Sequence, residues 1–115
     1  MAKLTSIQKE RFEMARADFQ EADVTVVSIK ELGLTIGLQY TCPRLKNHVR
    51  IAVAQCSPND KFKFKLGVLE LAEKFWNEHY IVVPKYGRNF TELLDAVINM
   101  YFEGTHIYNI ECRYL

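Results

Sequence analysis

The sequence predicts an α+β domain: a mostly antiparallel sheet of about five strands, in the order αβββαβαβ, with two longer helices packed on one face. Three features carry this expectation. Two β-branched runs flank Glu31-Leu32-Gly33 as a hairpin would, two apolar stripes recur at helical spacing after Ser57 and after Asn89, and the C-terminal residues alternate like a strand.

From Thr5 to about Gln20, Ile7, Phe12, Ala15 and Phe19 recur near helical spacing on an otherwise charged segment, and Thr5 with Gln8 forms a capping box. A peripheral helix is expected there. Val24 to Lys30 and Leu34 to Thr41 are expected to pair antiparallel through the Gly33 connection. After a loop around Pro43, His48 to Gln55 reads as a third strand, with Val49, Ile51 and Val53 on one face. Arg50, Ala52, Ala54 and Cys56 share the other, and small residues on a sheet face let a helix approach closely.

That helix is expected to start at Ser57-Pro58-Asn59-Asp60, with a serine cap, proline at the first helical position and an acid two residues later. Its stripe runs through Phe62, Leu66, Leu69 and Trp76, widened by Phe64, Val68, Leu71 and Phe75, although Phe62-Lys63-Phe64-Lys65 also alternates like a strand. Tyr80 to Val83 reads as a short buried strand stopped by Pro84. Asn89 and Glu92 form a second capping pair, and Phe90, Leu93, Leu94, Val97, Ile98, Tyr101 and Phe102 make the cleanest stripe, ending at Gly104. A half-buried last strand is expected over His106 to Tyr114, with Tyr108, Ile110, Cys112 and Tyr114 on one face and Asn109, Glu111 and Arg113 on the other.

With 115 residues, 49% of them apolar, and no linker splitting two cores, residues 1–115 are expected to form a single domain. No apolar run reaches the length of about 18 residues that a membrane span needs, and Met1-Ala2-Lys3-Leu4 leads into charge rather than a signal-peptide core. A cytoplasmic, membrane-free protein is the expectation. Three cysteines without C-x-x-C spacing read as thiols in a reducing compartment. A net charge of +1 argues against a strongly basic nucleic-acid binder, while the stretch from Cys42 to Lys65 is locally cationic.

The candidate site lies where capped helix starts meet cations. A helix N-terminus offers unpaired N–H groups and partial positive charge to an anion. Lys85, Tyr86, Gly87, Arg88 and Asn89 combine a phosphate partner, an aromatic platform and a glycine beside the second core helix, and Ser57, Asn59 and Lys61 at the other helix start join Arg44 and Arg50 in a second cationic patch if loop and strand end converge. A capped loop that satisfies only its own helix would carry the same residues. Cys42, His48, Cys56, His79, His106 and Cys112 show no metal-ligand spacing, and no nucleophile elbow, Walker loop or dinucleotide fingerprint occurs. No metal, cofactor or catalytic residue is therefore expected.

Ile51-Ala52-Val53-Ala54-Gln55-Cys56-Ser57-Pro58-Asn59-Asp60-Lys61-Phe62, followed by Gly67 and Ala72, resembles a pattern of small bacteriophage accessory proteins: a strand ending in Cys-x-Pro-x-Asp-x-Phe, then a helix with an early glycine. The resemblance covers about a fifth of the chain. Among such proteins the chain is similar to the anti-Thoeris sponges, which sequester cyclic ADP-ribose-type signals without cleaving them and assemble as oligomers. The resemblance implies phage counter-defence in the host cytoplasm. It supplies no binding residue, so the candidate site rests on charge and helix starts.

The leading expectation is a non-enzymatic, homo-oligomeric binder of a small phosphorylated ligand, its protomers meeting through the final strand or the aromatic-rich helix. An inhibitor or adaptor contacting a host protein is the first alternative. A nucleic-acid module stacking bases on Phe62 and Phe64 is the second.

Overall fold

Gly33, at φ 64°, closes a tight 3-10 turn over Lys30–Leu32 and sets the register of the hairpin on which the sheet is built. The computed structural model describes residues 4–41, 44, 46–57 and 61–115. Its elements are α1 (Ser6–Glu21), β1 (Thr25–Ile29), β2 (Leu34–Gln39), β3 (His48–Gln55), α2 (Phe64–Trp76), β4 (Ile81–Pro84), α3 (Phe90–Tyr101) and β5 (Arg113–Tyr114). The five strands form one sheet in the order β4-β3-β2-β1-β5, every neighbour antiparallel. No helix among the described residues is long and apolar enough to cross a membrane.

Strand alternation sends two apolar sets to opposite faces. Val27, Ile29, Leu34, Ile36, Leu38, Val49 and Ile51 pack with Leu93, Leu94, Val97 and Ile98 of α3. On the other face Val26, Ala52 and Ala54 pack with Phe12, Ala15 and Phe19 of α1 and with Val68, Leu71 and Ala72 of α2. The two longer helices that share one face, as expected, are α1 and α2. The helix starting at Asn89 covers the opposite face. Helix α1 lies at the surface and sends Phe12, Ala15 and Phe19 into the core. Of the small residues on β3, Ala52 and Ala54 pack against Val68, Leu71 and Ala72 of α2 as expected, and the contact is closest at two further positions, Gly37 of β2 under Phe75 and Gly67 of α2 over Thr35.

Both capping boxes form. Thr5 accepts from the Gln8 N–H while Gln8 returns a bond to the Thr5 N–H, and Asn89 and Glu92 do the same for α3. The start of α2 differs from expectation. Lys63 is extended at φ −131°, ψ 118°, so the strand-like alternation of Phe62 and Phe64 prevails and the helix begins only at Phe64. Pro58, Asn59 and Asp60, on which the expected start and part of the phage pattern rest, lie outside the described residues, as do Cys42 and Pro43. Strand β4 is an edge strand with Ile81 and Val82 exposed, not a buried one, because nothing among the described residues pairs with its outer side.

The expected last strand shortens to Arg113–Tyr114. A 3-10 turn over Ile107–Asn109 interrupts it. The cause is Asp95 on α3, which accepts the Ile107 N–H at 2.8 Å and His106 Nδ1 at 3.0 Å, leaving Tyr108 exposed. The Ile107 N–H and then His106 hold the Asp95 carboxyl below its ordinary value of 3.8. A carboxyl with a depressed folded pKa adds stability that is complete above 3.8 and lost as pH falls through the folded value. Asp95→Asn is therefore expected to cost about 1 kcal/mol at pH 7, at the low end for a charge-assisted bond on a partly exposed group. Urea midpoints of the two proteins should converge below pH 3.8; a pH-independent gap would remove the carboxylate from the account.

Candidate functional site

The turn before α3 is built as its sequence suggests but is engaged by its own chain. Lys85 donates its N–H to Asn47 O at 2.8 Å and holds its ammonium 4.0 Å from the Tyr40 ring centroid. The Tyr40 hydroxyl donates to the Arg88 carbonyl at 2.8 Å, and its ring meets Phe90 edge-on. Tyr86 (φ 51°, 79% exposed) and Gly87 (φ 73°) form the left-handed corner of the turn. Asn89 and the Glu92 carboxylate occupy the helix start, and Arg88 lines a shallow depression with Glu92 and Asp95. An anion arriving there meets two acids.

The structure brings Lys85, Tyr86, Gly87, Arg88 and Asn89 into one turn and leaves Arg50 apart. Arg50 shares a sheet face with Ala52 and Ala54, under α1 and α2, whereas Tyr40 and Lys85 lie on the α3 side. Its guanidinium stacks 5.1 Å from the Tyr80 ring centroid and reaches Gln39 Oε1 at 3.4 Å, with Nε buried and unpartnered. Arg44 is exposed in the loop before β3. One residue of strand parity separates Arg50 from the face that the α3 turn borders.

A different concavity gathers more of the required chemistry. A cleft of about 600 Å³ opens between the start of α2, the end of β1 and the C-terminal segment. Ser28, Lys30 and Glu31 line it from the hairpin, Phe62 and Phe64 from the α2 entry, and Glu111, Cys112 and Arg113 from the last strand. Antiparallel pairing sets Arg113 opposite Ser28 on one face. The Arg113 guanidinium lies 4.3 Å from the Phe64 ring centroid, and Phe64 packs edge-on against Phe12. Lys63, the N-cap of α2, supplies no side-chain bond to the helix start beside the cleft.

Ser28 is the unusual member. It is 2% exposed, and its Oγ has no hydrogen-bond partner. An unsatisfied buried hydroxyl costs about 1–3 kcal/mol, a cost that an acceptor entering the cleft would remove. Burial pushes the Cys112 thiol up, so the cleft presents a neutral thiol at physiological pH. Two cations, Lys30 and Arg113, are balanced by Glu31 and Glu111. The lining is thus formally neutral, with Lys30 and Arg113 as donors and Glu31 and Glu111 as acceptors.

Sequence reasoning placed Phe62 and Phe64 on a helix stripe and Arg113 on a polar strand face, and it did not single out Ser28. The available signal was the serine in Thr25-Val26-Val27-Ser28-Ile29, the one polar residue at the strand's buried positions. Half-buried and packed on Phe12 and Arg113, Phe64 is not a free platform for stacked bases. Among the described residues no group of three or more His, Cys, Asp or Glu is placed to hold a metal ion. In comparisons with protein-family models, curated proteins and solved structures, nothing matches this chain.

Proposed function

We propose that this chain binds, without transforming it, a small ligand that joins one phosphate to a planar ring and hydroxyl groups, of the cyclic-nucleotide type, and retains it in the cleft beside α2. In the setting that the phage resemblance implies, such retention sequesters a signal in counter-defence. The observation that carries this reading is the unpartnered Ser28 hydroxyl beside Arg113. Arg113, held against the Phe64 ring, meets the phosphate as a charge-assisted partner, Phe62 lies against the ligand ring, and Glu31 and Glu111 accept from hydroxyls.

Mass spectrometry of purified protein after denaturation is expected to release a nucleotide-type ligand, and calorimetry with a cyclic nucleotide then gives the affinity. R113E should weaken binding at least tenfold, while R88E leaves it within twofold. The reverse pattern would return the ligand to the α3 turn. Ser28→Ala should act with opposite signs on two measurements: the ligand-free protein gains up to about 1 kcal/mol by losing an unsatisfied hydroxyl, while affinity falls several-fold. A serine whose replacement leaves both unchanged has no part in the site.

A further inference from the structure

Helices α1 and α2 lie side by side, turning Phe12, Ala15 and Phe19 and Val68, Leu71 and Ala72 inward. Their outer sides leave a second groove of about 630 Å³, remote from the α3 turn. Its apolar surface includes Met14 and Trp76, each 57% exposed, and Leu66. Ile7 continues the Arg11 and Met14 stripe one turn further along α1 and is also exposed. Large apolar side chains gathered on one outer surface mark an interaction site.

Charge identifies the occupant. The α1 wall carries Arg11, and the α2 wall carries Glu70 and Glu73. Among the described residues none of these three makes an ion pair. A two-fold interface uses one patch twice, so the patch must complement itself. This groove does: with the axis along it, α1 of one copy lies over α2 of the other, and Arg11 meets Glu70 and Glu73 on both sides while Met14, Leu66 and Trp76 lose water between them. We infer that the outer groove between α1 and α2 is a homodimer interface, closed by Arg11 of each copy against Glu70 and Glu73 of the other. The surface is independent of the proposed ligand cleft and differs from the C-terminal strand that the sequence offered for oligomerisation.

Sedimentation equilibrium of the full chain tests this through a charge swap. The unmodified protein should sediment as a dimer of the 13.4 kDa chain. R11E alone and the double variant E70R/E73R alone should each raise the dissociation constant at least tenfold, since each places like charges across the axis twice. Mixing the two variants should restore a one-to-one dimer, because every facing pair is again opposite in sign; a variant that had merely lost its fold would not be rescued. Trp76 is the sole tryptophan, so its emission should shift to the red as the dimer is diluted. A monomer across the concentration range, or a dimer indifferent to both variants, overturns the inference. Capture of a different protein by an otherwise monomeric chain overturns it equally.

Discussion

Leu94→Ala is expected to lower the unfolding free energy by about 3 kcal/mol, within the range for deleting a buried leucine with partial collapse of the cavity. Leu94 is fully buried, and α3 is the helix that packs on this sheet face, against Val27, Ile29, Leu34, Ile36, Leu38, Val49 and Ile51. With no second helix in that cluster, little can move in to fill the space. At about 4 °C per kcal/mol for a domain of this size, the melting temperature should fall by roughly 12 °C. Urea titration should show a lower midpoint with an unchanged slope. Leu66→Ala, on the outer side of α2, should stay within about 0.5 kcal/mol when measured on the monomer. A Leu94 loss as small as that would mean that α3 does not cover the sheet.

Gly67→Ala sets two effects against each other. In an exposed helix the change would gain about 1 kcal/mol of helix propensity. Here a Cβ would run into Thr35 Oγ1 and lie 3.0 Å from Thr35 Cβ, and Thr35 is buried between β1 and β3 with no room to retreat. Overpacking of this kind costs about 1–3 kcal/mol or more, so the clash prevails and a net loss of about 2 kcal/mol is expected. A double-mutant cycle separates the terms. With Thr35→Ala already made, Oγ1 and Cγ2 are gone and only the 3.0 Å contact with the Cβ of residue 35 is left, so most of the Gly67→Ala cost should disappear. An additive cycle would show that Thr35 is not what the alanine meets.

Features whose signal is local were legible in the sequence. Thr5 with Gln8 and Asn89 with Glu92 are capping boxes in four-residue windows, and both close as read. The third strand appears over His48–Gln55 because its alternation, Val49 and Ile51 against Ala52 and Ala54, is complete in itself. Less legible were features settled by residues distant in sequence. The C-terminal alternation gives way to a 3-10 turn because Asp95, eleven residues before His106, takes its ring and the next N–H. The placement of α3 opposite α2 follows from β1 and β2 being buried on both faces, the mark of a sheet covered twice, which the sequence hides because one face of β2 carries Thr35, Gly37 and Gln39. The site divides in the same way. Lys85 to Asn89 form one turn because they are neighbours in the chain, whereas Ser28, Phe64 and Arg113 meet only through the pairing of β1 with β5.

That pairing sets the cleft's dynamics. Strands β2 and β3 share six registered positions, but β5 holds β1 through two, with one further bond from the Leu115 N–H to Val26 O. Local opening scales with the contacts broken, so this short strand can detach at a small fraction of the global unfolding free energy. The guanidinium that closes the cleft thus rides on the least anchored part of the sheet. Release of Arg113 and Tyr114 from β1 would open the Ser28 hydroxyl to solvent, while the six-position ladder beneath stays intact.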